Sequence, residues 1–146
     1  HSKSFFYALR AALREDPDVI LVGELRDSET IRLALTAAET GHLVLASIHT
    51  RSAAASVDRM VDVFEGAEKA MVRSQLSESL IGVVSQTLYR PIQGQKQCAT
   101  FEVMVATPAI RHLIREGKIS QIHNVIQTGS AYGMQTMAQA MQAAPA

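Results

Sequence analysis

Short apolar runs separated by helical patterns mark the first half of the chain. Val19–Val22 is wholly apolar and mainly β-branched, and Leu43–Ile48 is a second run rich in apolar residues. Runs of this kind are typical of parallel strands that are buried on both faces. Apolar positions at helical spacing predict helices around these strands, over residues 5–15, 28–40, 52–64 and 67–84. The alternation of strand and helix predicts an α/β fold with a parallel sheet.

The pattern changes in the second half. Ser85–Ile92 and Gln97–Val105 predict two strands joined across a turn at Gly94, which is a β-hairpin. Thr107 followed by proline predicts the start of a helix that runs to Glu116. Two further helical patterns follow, over residues 119–126 and 134–141. We therefore expect two parts, residues 1–106 with the sheet and residues 107–146 as a small helical region.

Composition and charge narrow the class of protein. The 146 residues suit one domain or the larger part of one. Equal numbers of basic and acidic residues, 14 of each, argue against a nucleic-acid binder, which normally carries a basic stripe. A single Cys excludes an internal disulfide and a four-thiolate zinc site. No apolar run approaches the ~18 residues of a membrane span, so we expect a soluble cytosolic protein without membrane insertion.

Polar residues follow both predicted parallel strands. Gly23–Asp27 comes directly after the first strand, and His49 with Thr50 ends the second. In open α/β sheets, ligands bind beyond the carboxyl ends of the strands. An acid after an apolar strand, here Glu24, is the Walker B arrangement, which holds a carboxylate beside Mg²⁺ and an attacking water. By itself this is a weak signal, because many strands end in an acid.

A longer string is more specific. Leu13–Asp27, LREDPDVILVGELRD, resembles the signature of the secretion ATPase superfamily, whose hexameric motors drive type II secretion and type IV pili. Thr40–Thr50 resembles the His box of that family. The string AIRHLIRE resembles the AIRNLIRE motif of PilT-like pilus retraction ATPases; its residues are Ala109, Ile110, Arg111, His112, Leu113, Ile114, Arg115 and Glu116. The resemblance covers nearly the whole chain.

The chain departs from the family pattern at three points. His112 stands where the retraction motif usually has Asn, and Ala138 follows Met137 where the family pattern has Asp. The chain also contains no G-x-x-x-x-G-K-[ST], the loop that cradles nucleotide phosphates. In the family this loop lies upstream, so we expect the chain to be the C-terminal half of a motor and to be inactive alone.

The resemblance implies a fold, a reaction and partners. The fold would be the later part of a RecA-like P-loop ATPase core followed by the helical region. The intact protein would bind ATP and Mg²⁺ and hydrolyse ATP as a homo-hexamer. It would work with an inner-membrane platform protein and the pilus machinery, in the cytoplasm at the inner face of the bacterial inner membrane.

The resemblance also assigns roles at the strand ends. Glu24 would be the catalytic Walker B acid, although a solvated strand-end acid is the simpler alternative. Gly23, Arg26, Asp27 and Thr50 would lie near the nucleotide and Mg²⁺. Asp27 could equally cap a helix, and Arg26 could pair with Asp27 or with a neighbouring subunit.

The two histidines of the His box have different expected roles. His49 would face the γ-phosphate, or else make a structural hydrogen bond. His42 opens the strand at the other end, where a structural role or a subunit contact is expected. Because they lie at opposite ends of one strand, they cannot share a metal, and we expect no metal site formed by protein residues alone.

The charged residues of the second half leave alternatives open. Arg111 and Arg115 are spaced i,i+4, so they share a helix face opposite Ile110 and Leu113. That face would be either simply solvated or important for retraction. Glu102, inside the second hairpin strand, is expected to be a paired structural acid. The rival functions are an assembly ATPase of a type II secretion or pilus extension system, and a non-catalytic subunit-contact domain.

Overall fold

The structure, a computed structural model, describes residues 11, 14, 18–90, 92 and 94–143. The strands are β1 (Val19–Val22), β2 (Leu43–Ala46), β3 (Gly82–Tyr89) and β4 (Cys98–Val105). The helices of eight residues or more are α1 (Ser28–Glu39), α2 (Ala53–Asp62), α3 (Glu68–Ser79) and α4 (Pro108–Arg115). The shorter helices are α5 (Ile122–Gln127) and α6 (Met137–Ala143), with 3-10 turns at Ile119–Gln121 and Ser130–Tyr132. The predicted α/β fold with a hairpin and C-terminal helices is confirmed, and the helix predicted over residues 5–15 lies, apart from Ala11 and Arg14, outside the described residues.

The strands β1 and β2 form a parallel pair in which Val19 lies opposite Leu43. Side chains alternate between the two faces of a strand. Ile20 and Val22 are buried, whereas Val19 is 53% and Leu21 79% exposed. The prediction that this strand is buried on both faces is therefore wrong for this structure, because the helices described here cover only one face of the pair.

Local sequence explains how α1 returns the chain to the sheet. The Asp27 carboxylate accepts the Thr30 N–H at 2.8 Å and caps the first turn. The helix ends before Gly41, whose φ of +98° lies in the left-handed region that favours glycine. The Leu43 N–H then donates to the Asp18 carbonyl at 3.0 Å, which starts the parallel pairing.

The end of α3 corrects one prediction. The helix predicted to continue to residue 84 ends at Ser79, and Leu80 takes an extended backbone with ψ of 132°. Gly82 then pairs with Val105 in the antiparallel hairpin of β3 and β4. A Cβ at Gly82 would lie 2.9 Å from the Met104 carbonyl oxygen, so the strand pairing itself requires glycine there. Glycine also disfavours helix by about 1 kcal/mol, which agrees with the earlier helix end.

The hairpin and the C-terminal helices share one core. The hairpin turn contains Gly94 at a φ of +88°, as its position in the sequence predicts. Beyond the hairpin, Gln135 forms an antiparallel bridge with Val103 on the free edge of β4. The last helix begins at Met137 rather than at Met134, which is buried just before it. The C-terminal segment is thereby fastened to the hairpin by main-chain bonds.

Candidate functional site

The carboxyl ends of β1 and β2 are tied together. The Leu25 N–H donates to the Ser47 carbonyl at 2.8 Å, and the Ser47 hydroxyl donates to the Gly23 carbonyl. Leu25 is buried in the core between the two polar positions that flank it. Sequence reasoning did not single out Ser47, because a serine at the end of an apolar run carries no motif. These bonds bring the segments after the two strands side by side.

Three charged or polar side chains meet at this edge of the sheet. Glu24 Oε1 lies 3.0 Å from His49 Nε2, and Glu24 Oε2 accepts a hydrogen bond from Arg26 Nε. The side chain of Glu24 is 20% exposed, compared with 67% for Arg26 and 81% for His49. We call Glu24, Arg26 and His49 the strand-end cluster. Among the described residues Arg26 pairs with Glu24 and not with Asp27, one of the two partners considered for it; the other, a neighbouring subunit, stays a prediction.

The cluster combines the chemical groups of a phosphoryl-transfer site. Magnesium in such sites is bound through one or two carboxylates together with substrate phosphates, and Glu24 is a carboxylate of this kind. Arginine and protonated histidine are donors that suit phosphate oxygens. The Glu24 carboxylate therefore has a nitrogen donor on each of its oxygens at the carboxyl ends of the two strands.

The residues beside the cluster are held by α2. Thr50 Oγ1 donates to the Ser52 carbonyl at 3.1 Å and lies 2.5 Å from Ser56 Oγ. Arg59 Nη1 donates to the His49 carbonyl at 3.4 Å, a contact that sequence reasoning missed. The Thr50 side chain is therefore held at the start of α2, and the His49 carbonyl is held by Arg59 in the last turn of that helix, while the His49 ring contacts Glu24.

The side chains of Asp27 and His42 form hydrogen bonds with residues nearby in the sequence. The Asp27 carboxylate is the N-cap of α1, one of the two roles considered for it. His42 Nδ1 donates to the Ala37 carbonyl at 3.0 Å, so the ring closes the turn after α1 at the opposite end of β2 from His49. Thr40 Oγ1 lies 3.2 Å from the same nitrogen. Asp27 thus stabilises the start of α1, and His42 stabilises the turn that leads from α1 into β2.

Residues 18–90 and 94–143, with the few others that the structure describes, contain no group of three or more His, Cys, Asp or Glu side chains that could hold a metal ion. Across the same residues, every helix is too short or too polar to cross a membrane.

The motif AIRHLIRE forms the helix α4. Thr107 caps it by accepting the Ile110 N–H at 3.4 Å, and Pro108 occupies the first turn, as predicted. The apolar positions Ile110, Leu113 and Ile114 are buried in the core. The outward positions are exposed; they are Ala109, His112, Arg115 and Glu116. Three of the eight motif positions therefore belong to the core, four face outward, and Arg111 is half-buried.

The two arginines of the motif have different surroundings. Arg111 is half-buried, and its Nη1 donates to the Ser77 carbonyl at 2.7 Å and to the Glu78 carbonyl at 3.1 Å. Helix α3 has no basic residue in its own last turn, so Arg111 supplies the cation that the helix C-terminus favours. Arg115 is exposed and forms no hydrogen bond or ion pair with another described residue. On the helix face that the two arginines were predicted to share, Arg111 therefore packs against α3 and Arg115 faces the solvent.

Comparisons with known proteins agree with the motifs. A family model described as type II/IV secretion system protein matches residues 2–144. The twitching motility protein of Neisseria gonorrhoeae is 62% identical over 142 residues, which is 97% of this chain and 38% of that protein. The type IV pilus retraction ATPase PilT of Pseudomonas aeruginosa is 65% identical over 133 residues, which is 91% of this chain and 38% of that protein.

A solved structure agrees with the fold. The crystal structure of the pilus retraction motor PilT with bound ADP matches with a TM-score of 0.75 at 44% sequence identity. The match covers 99% of this chain and 44% of that chain. The parallel pair, the hairpin and the C-terminal helices are thus those of a secretion ATPase fold. The chain spans less than half the length of these relatives.

Proposed function

The chain belongs to the type II/IV secretion system protein family, and on that premise we propose that the whole protein is an ATP-hydrolysing motor that retracts type IV pili. The relatives named as a twitching motility protein and as a pilus retraction ATPase support retraction. The ADP in the similar PilT structure supports a nucleotide as the ligand. The motor is proposed to be a homo-hexamer in the cytoplasm that works with a platform protein at the inner membrane.

The observation that carries this proposal is the contact between Glu24 and His49 at the carboxyl ends of two parallel strands. Glu24 would orient the water that attacks the terminal phosphate of ATP, giving ADP and phosphate. Mg²⁺ bound with the nucleotide would neutralise phosphate charge, and Glu24 is the carboxylate of this chain that could hold it. His49 and Arg26, both largely exposed, could turn from the carboxylate to a phosphate oxygen when the nucleotide is present.

We assign the two parts of the chain different tasks within this motor. Residues 1–106 would contribute the strand-end cluster to the nucleotide site, with Gly23, Asp27 and Thr50 shaping it. Residues 107–146 would transmit motion through the outward face of α4. His112, which stands where the resembling motif has Asn, is exposed on that face and takes no part in the buried packing of α4.

The test is Glu24→Gln in the full-length protein. The amide keeps the shape of the side chain and removes its charge, so ATP should still bind while hydrolysis falls by ~10²-fold or more. Asp18→Asn, at an exposed acid before β1, is the matched control and should hydrolyse ATP at the parent rate. A normal rate in Glu24→Gln together with a loss in Asp18→Asn would show that the wrong acid was chosen.

An experiment in cells distinguishes a retraction motor from an extension motor. A cell that carries Glu24→Gln in a retraction motor should keep its surface pili and lose twitching, because fibres assemble and cannot be withdrawn. Electron microscopy for pili and a twitching assay on the same strain measure both properties. A strain without pili would instead indicate an assembly ATPase, and a strain with normal pili and normal twitching would indicate a non-catalytic domain.

A further inference from the structure

The hairpin sequence, residues 82–105, has a single carboxylate, that of Glu102 on β4, which is only 4% exposed. Its Oε1 accepts the main-chain N–H of Ala53 at 2.8 Å, and its Oε2 accepts that of Met137 at 3.3 Å. A buried charge requires hydrogen bonds to be tolerated, and helix N-termini favour negative charge. The two donors are the first residues of α2 and α6, so a single side chain joins two helices from different parts of the chain.

On one side, Glu102 holds the first residue of α2, the helix to which His49 and Thr50 are bound. Ala53 follows Ser52, whose carbonyl accepts the Thr50 hydroxyl at 3.1 Å and the Ser56 hydroxyl at 3.1 Å. The His49 main chain is held by Arg59 of the same helix. Because Thr50 directly follows His49, and because Arg59 lies in the last turn of α2, a shift of this helix would move His49 relative to Glu24.

On the other side, Glu102 holds the start of the C-terminal helix. Thr136 and Gln139 form a reciprocal capping box, in which the Thr136 N–H donates to Gln139 Oε1 at 3.0 Å and the Gln139 N–H donates to Thr136 Oγ1 at 3.1 Å. Gln139 Nε2 also donates to the Gln127 carbonyl at 2.9 Å, at the end of α5. The hydrogen bond from the Met137 N–H to Oε2 of Glu102 therefore depends on the position of this capped C-terminal segment.

We propose that Glu102 is a positioning residue that couples the C-terminal helices to the segment carrying His49. A displacement at α6 would release one carboxylate oxygen, and the carboxylate would then hold the first turn of α2 less firmly. His49 would in turn change its position against Glu24. The proposal goes beyond the expected role of a paired structural acid, because it joins two regions that have no other shared side chain of this kind among the described residues.

The coupling is tested without reference to catalysis. Gln139→Ala in the full-length protein removes the side-chain half of the capping box and leaves Glu102 in place. Hydrogen exchange at the Met137 amide should rise about tenfold, and exchange at the Ala53 amide should rise by roughly threefold, since groups in one hydrogen-bond network are energetically coupled. Gln142→Ala, at an exposed position of the same helix, is the control and should change neither amide. Unchanged exchange at Ala53 in Gln139→Ala would overturn the proposal.

A second test, which rests on the proposed ATPase function, asks whether Glu102 acts through His49. Glu102→Gln should lower kcat by about tenfold with little change in KM, because one buried N–H loses its acceptor. In a His49→Ala background the same substitution should have little further effect. Losses that multiply in the double variant would show that Glu102 acts independently of His49. Glu65→Gln, an exposed acid before α3, is the charge-matched control. A parent protein without ATPase activity would refute the proposed function, and the exchange test would still decide the coupling.

Discussion

The strand-end cluster and the motif helix α4 both carry strong family resemblances, and they are built in opposite ways. In the cluster, Arg26 and His49 extend into solvent and meet at one carboxylate. In α4, Ile110 and Ile114, which are one helical turn apart, are fully buried. Even a charged residue of this helix, Arg111, is bound to a neighbouring helix. Exposed side chains around a carboxylate can be rearranged by a ligand at little energetic cost. A packed helix instead transmits displacement as a unit.

The comparison separates chemistry from mechanical output. Substitutions in the cluster should change rates with little effect on stability. Substitutions on the inner side of α4 should change stability, and only its outer side is free to meet a partner.

The isolated 146-residue chain, which carries the strand-end cluster, should not hydrolyse ATP. The 146 residues contain no phosphate-cradling loop, so within them nothing holds the β- and γ-phosphates of ATP. We expect no ATP hydrolysis by the purified chain, weak nucleotide binding at most, and self-association through the exposed face around Leu21. Phosphate release is measured at several chain concentrations beside the full-length protein. Turnover that rises in proportion to chain concentration would show that the cluster is sufficient.

The inner side of α4 should carry a large share of stability. Ile114→Ala leaves a cavity in the core and should lower the free energy of unfolding by about 2–5 kcal/mol. His112→Ala, on the outer side of the same helix, should change it by less than about 0.5 kcal/mol. Urea unfolding of the full-length variants measures both. Equal unfolding midpoints for the two variants would contradict the division of the helix into a packed and a free side.

The ring of His49 should matter for rate and little for folding. His49→Ala removes the contact with Glu24 and should lower the ATPase rate by roughly 10- to 100-fold, the range for a hydrogen bond to a charged group. The unfolding midpoint should stay close to that of the parent, because the side chain is largely exposed. His123→Ala, at an exposed histidine of α5, is the control. If His49→Ala lowered the unfolding midpoint clearly as well as the ATPase rate, His49 would be a structural residue.

The arginines of α4 should differ from one another. Arg111→Ala leaves the Ser77 and Glu78 carbonyls without their donor and should destabilise the protein by about 1–2 kcal/mol. Arg115→Ala should change stability by less than about 0.5 kcal/mol, keep the ATPase rate within a few-fold of the parent, and abolish twitching if the outer face meets a partner. Unfolding, ATPase and twitching assays on both variants measure this. Normal twitching in Arg115→Ala would make that arginine a merely solvated charge.

Local patterns in the sequence predicted much of the fold. Caps are decided within a few residues, so Asp27, Ser52 and Thr107 are found at the helix starts where hydroxyl and carboxylate groups predicted them. The hairpin followed from two strand patterns and a glycine turn. The end of α3 was placed wrongly, because apolar residues up to Val84 suit a helix as well as a strand. Pairing with β4, which lies about 20 residues further along the chain, determines which one forms.

The family, the α/β class, the acid after β1 and the apolar face of α4 are all predictable from the order of residues, because each rests on residues that are adjacent or at a fixed helical period. Which polar groups meet depends instead on how the elements pack in three dimensions. Arg26 bonds to Glu24 rather than to Asp27, Arg111 reaches the end of α3, and Glu102 joins two helix starts that lie far apart in sequence. Hydrogen bonds act over about 3 Å and their partners are set by packing. No spacing along the chain specifies them.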